Sequence, residues 1–225
     1  MTVQELDTAF SRLSIATVEQ LCTFDDRNVA WLSLMRRHGS RELAIAALRE
    51  MLESCQTREQ RLERLACFYC WMAPLPIMRP WTLMTIGDVV NEELFNETAL
   101  LTRIADAIRD LGRETTFVTT QNDALVYGCL VVQDTGPPQV HVSHHRSNVE
   151  TPTAHVISMC CWRSLPFMAV HATDAKVFPQ LDYALSTVLG CDIDQLLRGD
   201  YDNLVDAYNA VLDYTDRGVH LRQQR

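Results

Sequence analysis

Thr153-Ala154-His155-Val156-Ile157-Ser158-Met159-Cys160-Cys161-Trp162 is followed by Arg163-Ser164-Leu165-Pro166 and then by Phe167-Met168-Ala169-Val170-His171. Two apolar, β-favouring runs, Ala154–Trp162 and Phe167–His171, flank a short polar break, which is the pattern of a β-hairpin. Pro166 suits its turn or an edge, because proline brings no N–H to a ladder. Downstream comes a short acidic link and then an amphipathic helix. Pro179 suits its first turn, Leu181, Leu185, Val188 and Leu189 face inward, and Gly190 ends it. A sheet is therefore expected in the second half of the chain, with at least one helix against it.

Upstream of the hairpin, Thr115–Thr120 reads as a short β-branched strand. Ala124–Val132 is apolar on both alternating faces, as in a central strand, and Val140–His145 is a candidate edge strand. Before them Asn96 caps a helix with Leu100, Leu101, Ile104, Ile108 and Leu111 on one stripe, and Gly112 stops it. Asp200 is read as the cap of a last helix through Leu204, Tyr208, Val211 and Leu212, and residues 216–225 as a flexible tail. Trp81–Val90 is a bridging segment of no assigned type.

The front reads as helical. Val3–Leu13 and Thr17–Phe24 are short helices, Asp25–Asn28 caps a third that ends near His38-Gly39, and Ser40 caps a fourth. Thr57 with Gln60 forms a capping box that opens a fifth, which carries Leu62, Leu65, Ala66 and Tyr69. Pro74, Pro76 and Pro80 end the run. The expectation is α+β: a helical bundle over residues 1–78, an α+β domain with an antiparallel sheet over 79–215, and the tail.

The chain has 225 residues, 47% of them hydrophobic and 22% charged, which is the composition of an ordinary globular protein. No apolar run approaches the roughly 18 residues of a membrane span, so no membrane partner is expected. The first residues, Met1 to Glu5, do not read as a secretory signal, and the eight cysteines are taken as reduced thiols in cytosol or nucleus. Net charge is −9, which by itself disfavours nucleic acid. Its distribution is uneven. Arg27–Arg64 holds eight arginines against five acids, whereas Asp174–Asp216 holds nine aspartates against Lys176 and Arg198.

Each cluster of reactive side chains has a structural reading. Cys67-Phe68-Tyr69-Cys70 has C-x-x-C spacing, but it lies within a helix, and a zinc site needs two more ligands. Cys160 and Cys161 are adjacent on a strand and point to opposite faces. His141 and His145 on a strand are about 13 Å apart, too far for one ion, and His144 faces the other way. No nucleophile elbow or glycine-rich phosphate loop is present, and the acids from Asp192 to Asp206 are spaced like a solvated helix face with caps. No catalytic residue, metal or cofactor is expected. Arg36, Arg37 and Arg41 straddle a helix–turn–helix junction, where guanidinium groups splayed to one surface could grip phosphates. The alternative is a solvated helix end, with Arg36 and Arg37 complementing the C-terminal dipole. Arg58, Arg61 and Arg64 alternate with acids and read as solvated.

Over about residues 1–215 the order of elements resembles the N-terminal region of the centromere protein N (CENP-N) family, nucleosome-reading subunits of the inner kinetochore. Thr2-Val3-Gln4-Glu5 and Phe10-Ser11-Arg12-Leu13-Ser14-Ile15 look like the first helix of that family's pyrin-like domain. Leu34-Met35-Arg36-Arg37-His38-Gly39-Ser40-Arg41-Glu42 is similar to its basic second turn, and Phe68-Tyr69 with Met78-Arg79-Pro80-Trp81-Thr82-Leu83 to the junction between its domains. Asn122-Asp123-Ala124-Leu125-Val126-Tyr127 resembles the first long strand. Pro152-Thr153-Ala154-His155-Val156-Ile157 and Leu165-Pro166-Phe167-Met168-Ala169-Val170 resemble the hairpin, and Ala184-Leu185-Ser186 the helix behind it.

The resemblance implies a pyrin-like bundle, no catalysis, and recognition of the centromeric histone H3 variant and the DNA beside it, in the nucleus at the centromere. It implies histone contacts at Glu5 and Asp7 and DNA contacts at Arg12, Arg36, Arg37, Arg41, Arg79 and Arg198. Family members continue into a region that pairs with a sister subunit, CENP-L, so the same partner is implied for any such region here. The rival expectations are a death-fold-type protein interaction module without DNA binding, and a metal-dependent enzyme using the cysteines and histidines.

Overall fold

The computed structural model describes residues 52–74, 78–86, 96–121, 124–133, 154–172 and 177–223, together with the helical positions 46 and 50. In chain order these residues form α1 (Arg58–Met72), β1 (Trp81–Thr85), α2 (Glu97–Asp110), β2 (Glu114–Gln121), β3 (Leu125–Gln133), β4 (Ala154–Trp162) and β5 (Phe167–Ala172). They continue through α3 (Phe178–Leu189), a 3-10 turn (Ile193–Gln195), β6 (Leu197–Tyr201) and α4 (Leu204–Gln223).

The hairpin forms as its sequence predicts. Cys161 lies opposite Met168 and Ile157 opposite Ala172, with the turn at Arg163–Pro166 between the strands. Ser164 takes a positive φ of 62°, uncommon for a residue with a side chain, and its amide donates to the Glu97 carboxylate at the start of α2. The hairpin is the middle of a six-stranded sheet of order β2-β3-β4-β5-β1-β6, antiparallel at every pairing. The fold is therefore α+β, with four helices among the described residues.

Strand alternation divides the interior into two cores. On one face α2 and α3 cover Leu130, Ile157, Met159, Cys161, Met168 and Val170. α2 presents Leu100, Leu101, Ile104, Ala105 and Ile108 to this layer, and each large aliphatic side chain so buried stabilises the fold by about 1.5–3 kcal/mol. On the other face α1 and α4 cover Trp81, Leu83, Tyr127, Cys129, Val131, Cys160 and Phe167. Caps follow the local chemistry. Thr57 and Gln60 make the capping box of α1, Asn96 accepts from the Ala99 amide, and Gly190 closes α3 at φ 72°.

Several expectations are corrected. Trp81–Thr85 is a strand inside the sheet, between β5 and β6. β6 was not anticipated at all. Asp200 does not cap the last helix: it accepts from Thr82 Oγ1 at 2.6 Å across the β1–β6 ladder, and the Asn203 side chain caps α4 by accepting from the Asp206 amide. The acids from Asp192 to Asp206 are spread over the 3-10 turn, β6 and the start of α4 rather than along one helix. α4 continues through Gln223, where a flexible tail was expected. α1, placed by its sequence in the front bundle, shares its core with the sheet through Leu65, Phe68, Tyr69 and Met72, so the packing runs across the residue-78 boundary. The front helices before residue 46, Val140–His145, and Glu5, Asp7, Arg12, Arg36, Arg37 and Arg41 lie outside the described residues.

Candidate nucleic-acid interface

Arg79 and Arg198, the two described members of the expected basic set, flank opposite ends of β1. Arg79 precedes the strand, exposed to solvent and with no partner among the described residues. The backbone beside it is held firmly. His171 at the end of β5 points its Nδ1 at the Pro80 carbonyl at 2.9 Å. A carbonyl only accepts, so Nδ1 carries the proton and donates, and Nε2 is bare when the ring is neutral. Burial lowers the His171 pKa, and the Pro80 hydrogen bond opposes that shift only in part. The ring also packs on Trp81, centroids 5.7 Å apart. Arg79 thus projects from a backbone fixed by a buried neutral imidazole.

Arg198 is placed differently. β1 and β6 slip register between Leu83 and Met84, and Arg198 is the extra residue, lying between Leu197 and Gly199. Its Nη1 donates to the carbonyls of Gln195 (3.1 Å) and Leu197 (2.9 Å), while its own carbonyl accepts from Tyr214 Oη at 3.2 Å. The guanidinium curls back over the end of the 3-10 turn, half-buried, with one nitrogen spent on backbone. From Arg79 to the residues facing Arg198 is four to five strand positions, about 13–16 Å. Both positions border the β1–β6 side of the sheet, but the structure does not bring them together as one cluster.

The remaining described arginines serve mainly as struts. Arg58 donates to the Gln133 side chain and pairs with Glu114 at 3.8 Å, tying α1 to β2 and β3. Arg61 Nε donates to the Leu52 carbonyl, Arg103 to the Val188 carbonyl, and Arg163 to Gln121 Oε1. The Arg58 tether was missed, because its partners lie on strands far along the chain.

The thiols are packed. Cys70 is buried and donates to the Val118 carbonyl at 3.5 Å, with Cys67 half-buried on the same helix. Burial pushes the Cys129 thiol up, and the hydrogen bond and proximity of Cys70 push it further. Cys160 and Cys161 belong to opposite cores, as their adjacency on a strand requires, and burial raises both. Among the described residues no group of three histidines, cysteines and acids is placed to hold a metal ion. Nor, among them, is any helix long and apolar enough to cross a membrane.

A buried polar row crosses the α1/α4 face. Cys129 lies opposite Ser158, and Ser158 opposite His171, beside Trp81. Among the described residues Ser158 Oγ and Trp81 Nε1 find no hydrogen-bond partner. No protein-family model matches the chain. No curated protein matches it either.

Proposed function

We propose that this chain is a non-enzymatic reader of centromeric nucleosomes at the inner kinetochore, related to the CENP-N family. In this reading residues 1–78 contain a pyrin-like bundle. Its Glu5 and Asp7 contact a basic loop of the centromeric histone H3 variant, and Arg12, Arg36, Arg37, Arg41 and Arg79 grip the adjoining DNA. Phosphate contacts supply affinity without sequence choice, while a short acidic patch selects the histone. Any further region of the protein pairs with a CENP-L-like subunit. The protein acts in the nucleus without a cofactor.

The observation that supports this best is Arg79. It is exposed and unpaired among the described residues, on a backbone pinned by His171 just before the first strand. Arg198 takes a lesser part, since part of its guanidinium already serves the Gln195 and Leu197 carbonyls.

The test is binding to centromeric and ordinary nucleosomes across a salt series. Combined Arg36→Glu, Arg37→Glu and Arg41→Glu substitution abolishes measurable binding at physiological salt. Arg79→Glu weakens it and lowers the slope of log K against log salt by about one, the share of one phosphate contact. Arg198→Glu has the smaller effect. Unchanged affinity in the triple variant removes DNA reading and leaves a protein-interaction module. Equal affinity for the two nucleosome types removes the histone choice.

A further inference from the structure

The two edges of the sheet are finished differently. β6 carries devices that keep an edge from pairing: it is five residues long, its register slips at Arg198, and Gly199 and Asp200 are poor strand formers. The Arg198 carbonyl is also occupied by the Tyr214 hydroxyl. β2, at the other edge, has none of these devices. Its eight residues hold register with β3 from Glu114 to Gln121 without a bulge, and no proline, glycine or lysine interrupts them. Five are β-branched, Thr115, Thr116, Val118, Thr119 and Thr120. Among the described residues nothing pairs with the outer side of β2, so a row of N–H and C=O groups faces outward. Both faces behind that edge are backed by helices. Cys70 of α1 donates to the Val118 carbonyl, which keeps a second lone pair for a ladder, and Phe117 packs in the layer under α2. Every position from Thr115 to Thr120 is half-buried, so both layers stop part-way across β2.

We propose that β2 pairs antiparallel with β2 of a second copy of this chain, joining the two six-stranded sheets into one. A second copy suits this edge better than a lone strand of another protein, because it brings its own α1 and α2. A dyad perpendicular to the sheet carries each layer into its counterpart, whereas an isolated strand would leave both of its faces bare. Side-chain alternation requires residues opposite one another to share a face. The Phe117 ring leans inward over Gly128, its Cε2 3.1 Å from where a Cβ there would stand, so it does not reach across the dyad. The dyad therefore passes at Val118, which sets Thr116 opposite Thr120 of the second copy and Phe117 opposite Thr119 of the second copy. Threonine pairs of this kind stabilise a ladder. Glu114, the one charge in the strand, lies ~27 Å from its counterpart, beyond the screening length. Asp200 in β6 and the aspartates of α4, which packs beside β6, are at the far edge. This inference does not rest on the nucleosome reading, because it uses no residue assigned there.

The test is sedimentation of the full chain from about 1 to about 100 μM, a range suited to the affinity of one strand pair. A monomer–dimer equilibrium that shifts with concentration is expected. Thr116→Lys with Thr120→Lys sets like charges opposite each other on both sides of the dyad and weakens the dimer at least ~10-fold. Thr116→Lys with Thr120→Glu changes the same two positions but sets opposite charges across the dyad, and returns the dissociation constant to within ~3-fold of wild type. Within one chain these two positions are about 13 Å apart, so the rescue is read only between copies. Hydrogen exchange of the wild type gives a second reading that needs no substitution: β2 amides exchange faster at the low end of the concentration range than at the high end. A monomer at every concentration overturns the proposal and leaves the edge to a strand of a different protein. A dimer insensitive to the lysine pair, or not rescued by the lysine–glutamate pair, overturns it as well. Slow exchange of β2 at every concentration overturns it by making another segment of this same chain the occupant.

Discussion

The two faces of the sheet are built to different rules. Under α2 and α3 the layer is aliphatic: Leu101, Ile104, Ile108, Leu130, Ile157 and Met159 are fully buried. Under α1 and α4 it is aromatic, with Phe68, Trp81, Tyr127, Trp162 and Phe167. It also carries the buried row of Ser158 and His171, and three groups that find no hydrogen-bond partner among the described residues, Trp81 Nε1, Gln133 Nε2 and Ser158 Oγ. The first face stabilises mainly by close packing, although buried His155, and Thr115, whose Oγ1 finds no hydrogen-bond partner among the described residues, lie opposite its Val132. The second accepts uncompensated polar atoms in exchange for placement: its histidine holds the backbone beside Arg79, and its Trp162 holds Tyr208.

The contrast predicts opposite signs for single-atom changes on the two sides. Adding a carbon to the aliphatic face is the larger effect. A Cβ on Gly128 would stand 3.1 Å from both Leu101 Cδ1 and Phe117 Cε2, so Gly128→Ala destabilises by about 1–3 kcal/mol in urea unfolding. A stability equal to wild type would mean this face has slack, and the comparison fails. Removing an oxygen from the other face acts the other way. Among the described residues Ser158 Oγ finds no hydrogen-bond partner of good geometry, so Ser158→Ala is neutral or stabilising by up to about 1 kcal/mol. A loss above 1 kcal/mol would reveal a buried partner for that hydroxyl.

The smallest effect is in pH. His171 is 8% exposed, and its folded pKa lies below the ordinary histidine value. Below about pH 6.5 the unfolded chain takes up a proton at this site before the folded chain does, so ν_U exceeds ν_N and stability falls as pH falls. Its contribution is complete above that pH. Urea midpoints measured from pH 7.5 down to 5.5 decline, and His171→Gln removes part of the slope. Parallel profiles for the two proteins would show that the imidazole does not titrate out of register with the unfolded state.

Local chemistry made much of this legible. The hairpin, the Thr57–Gln60 box, the Asn96 cap and the Gly190 stop each depend on residues within a few positions of one another. β1 and β6 were not legible because they are five residues long, too short to declare a period. β1 follows a proline-rich stretch, and Arg198, Gly199 and Asp200 in β6 are poor strand formers individually. What makes them strands is partners far along the chain: Thr82 pairs with Val170 on one side and Asp200 on the other. The same distance hid the Arg58–Gln133 tether. Of the expected contact set, Arg79 is unpaired among the described residues, whereas the curl of Arg198 depends on a register slip that spacing does not announce.

The place of β1 in the sheet also orders events in time. It leaves the ribosome first among the described strands, yet its neighbour β5 begins about eighty residues later, Thr85 meeting Phe167. At roughly 5–20 residues per second, Trp81 and Leu83 wait several seconds for a partner strand, and longer for β6. During synthesis the strand that becomes interior therefore lacks both ladder neighbours, with only α1 of its described core partners already made, and the sheet closes around it from both sides only when the C-terminal elements arrive.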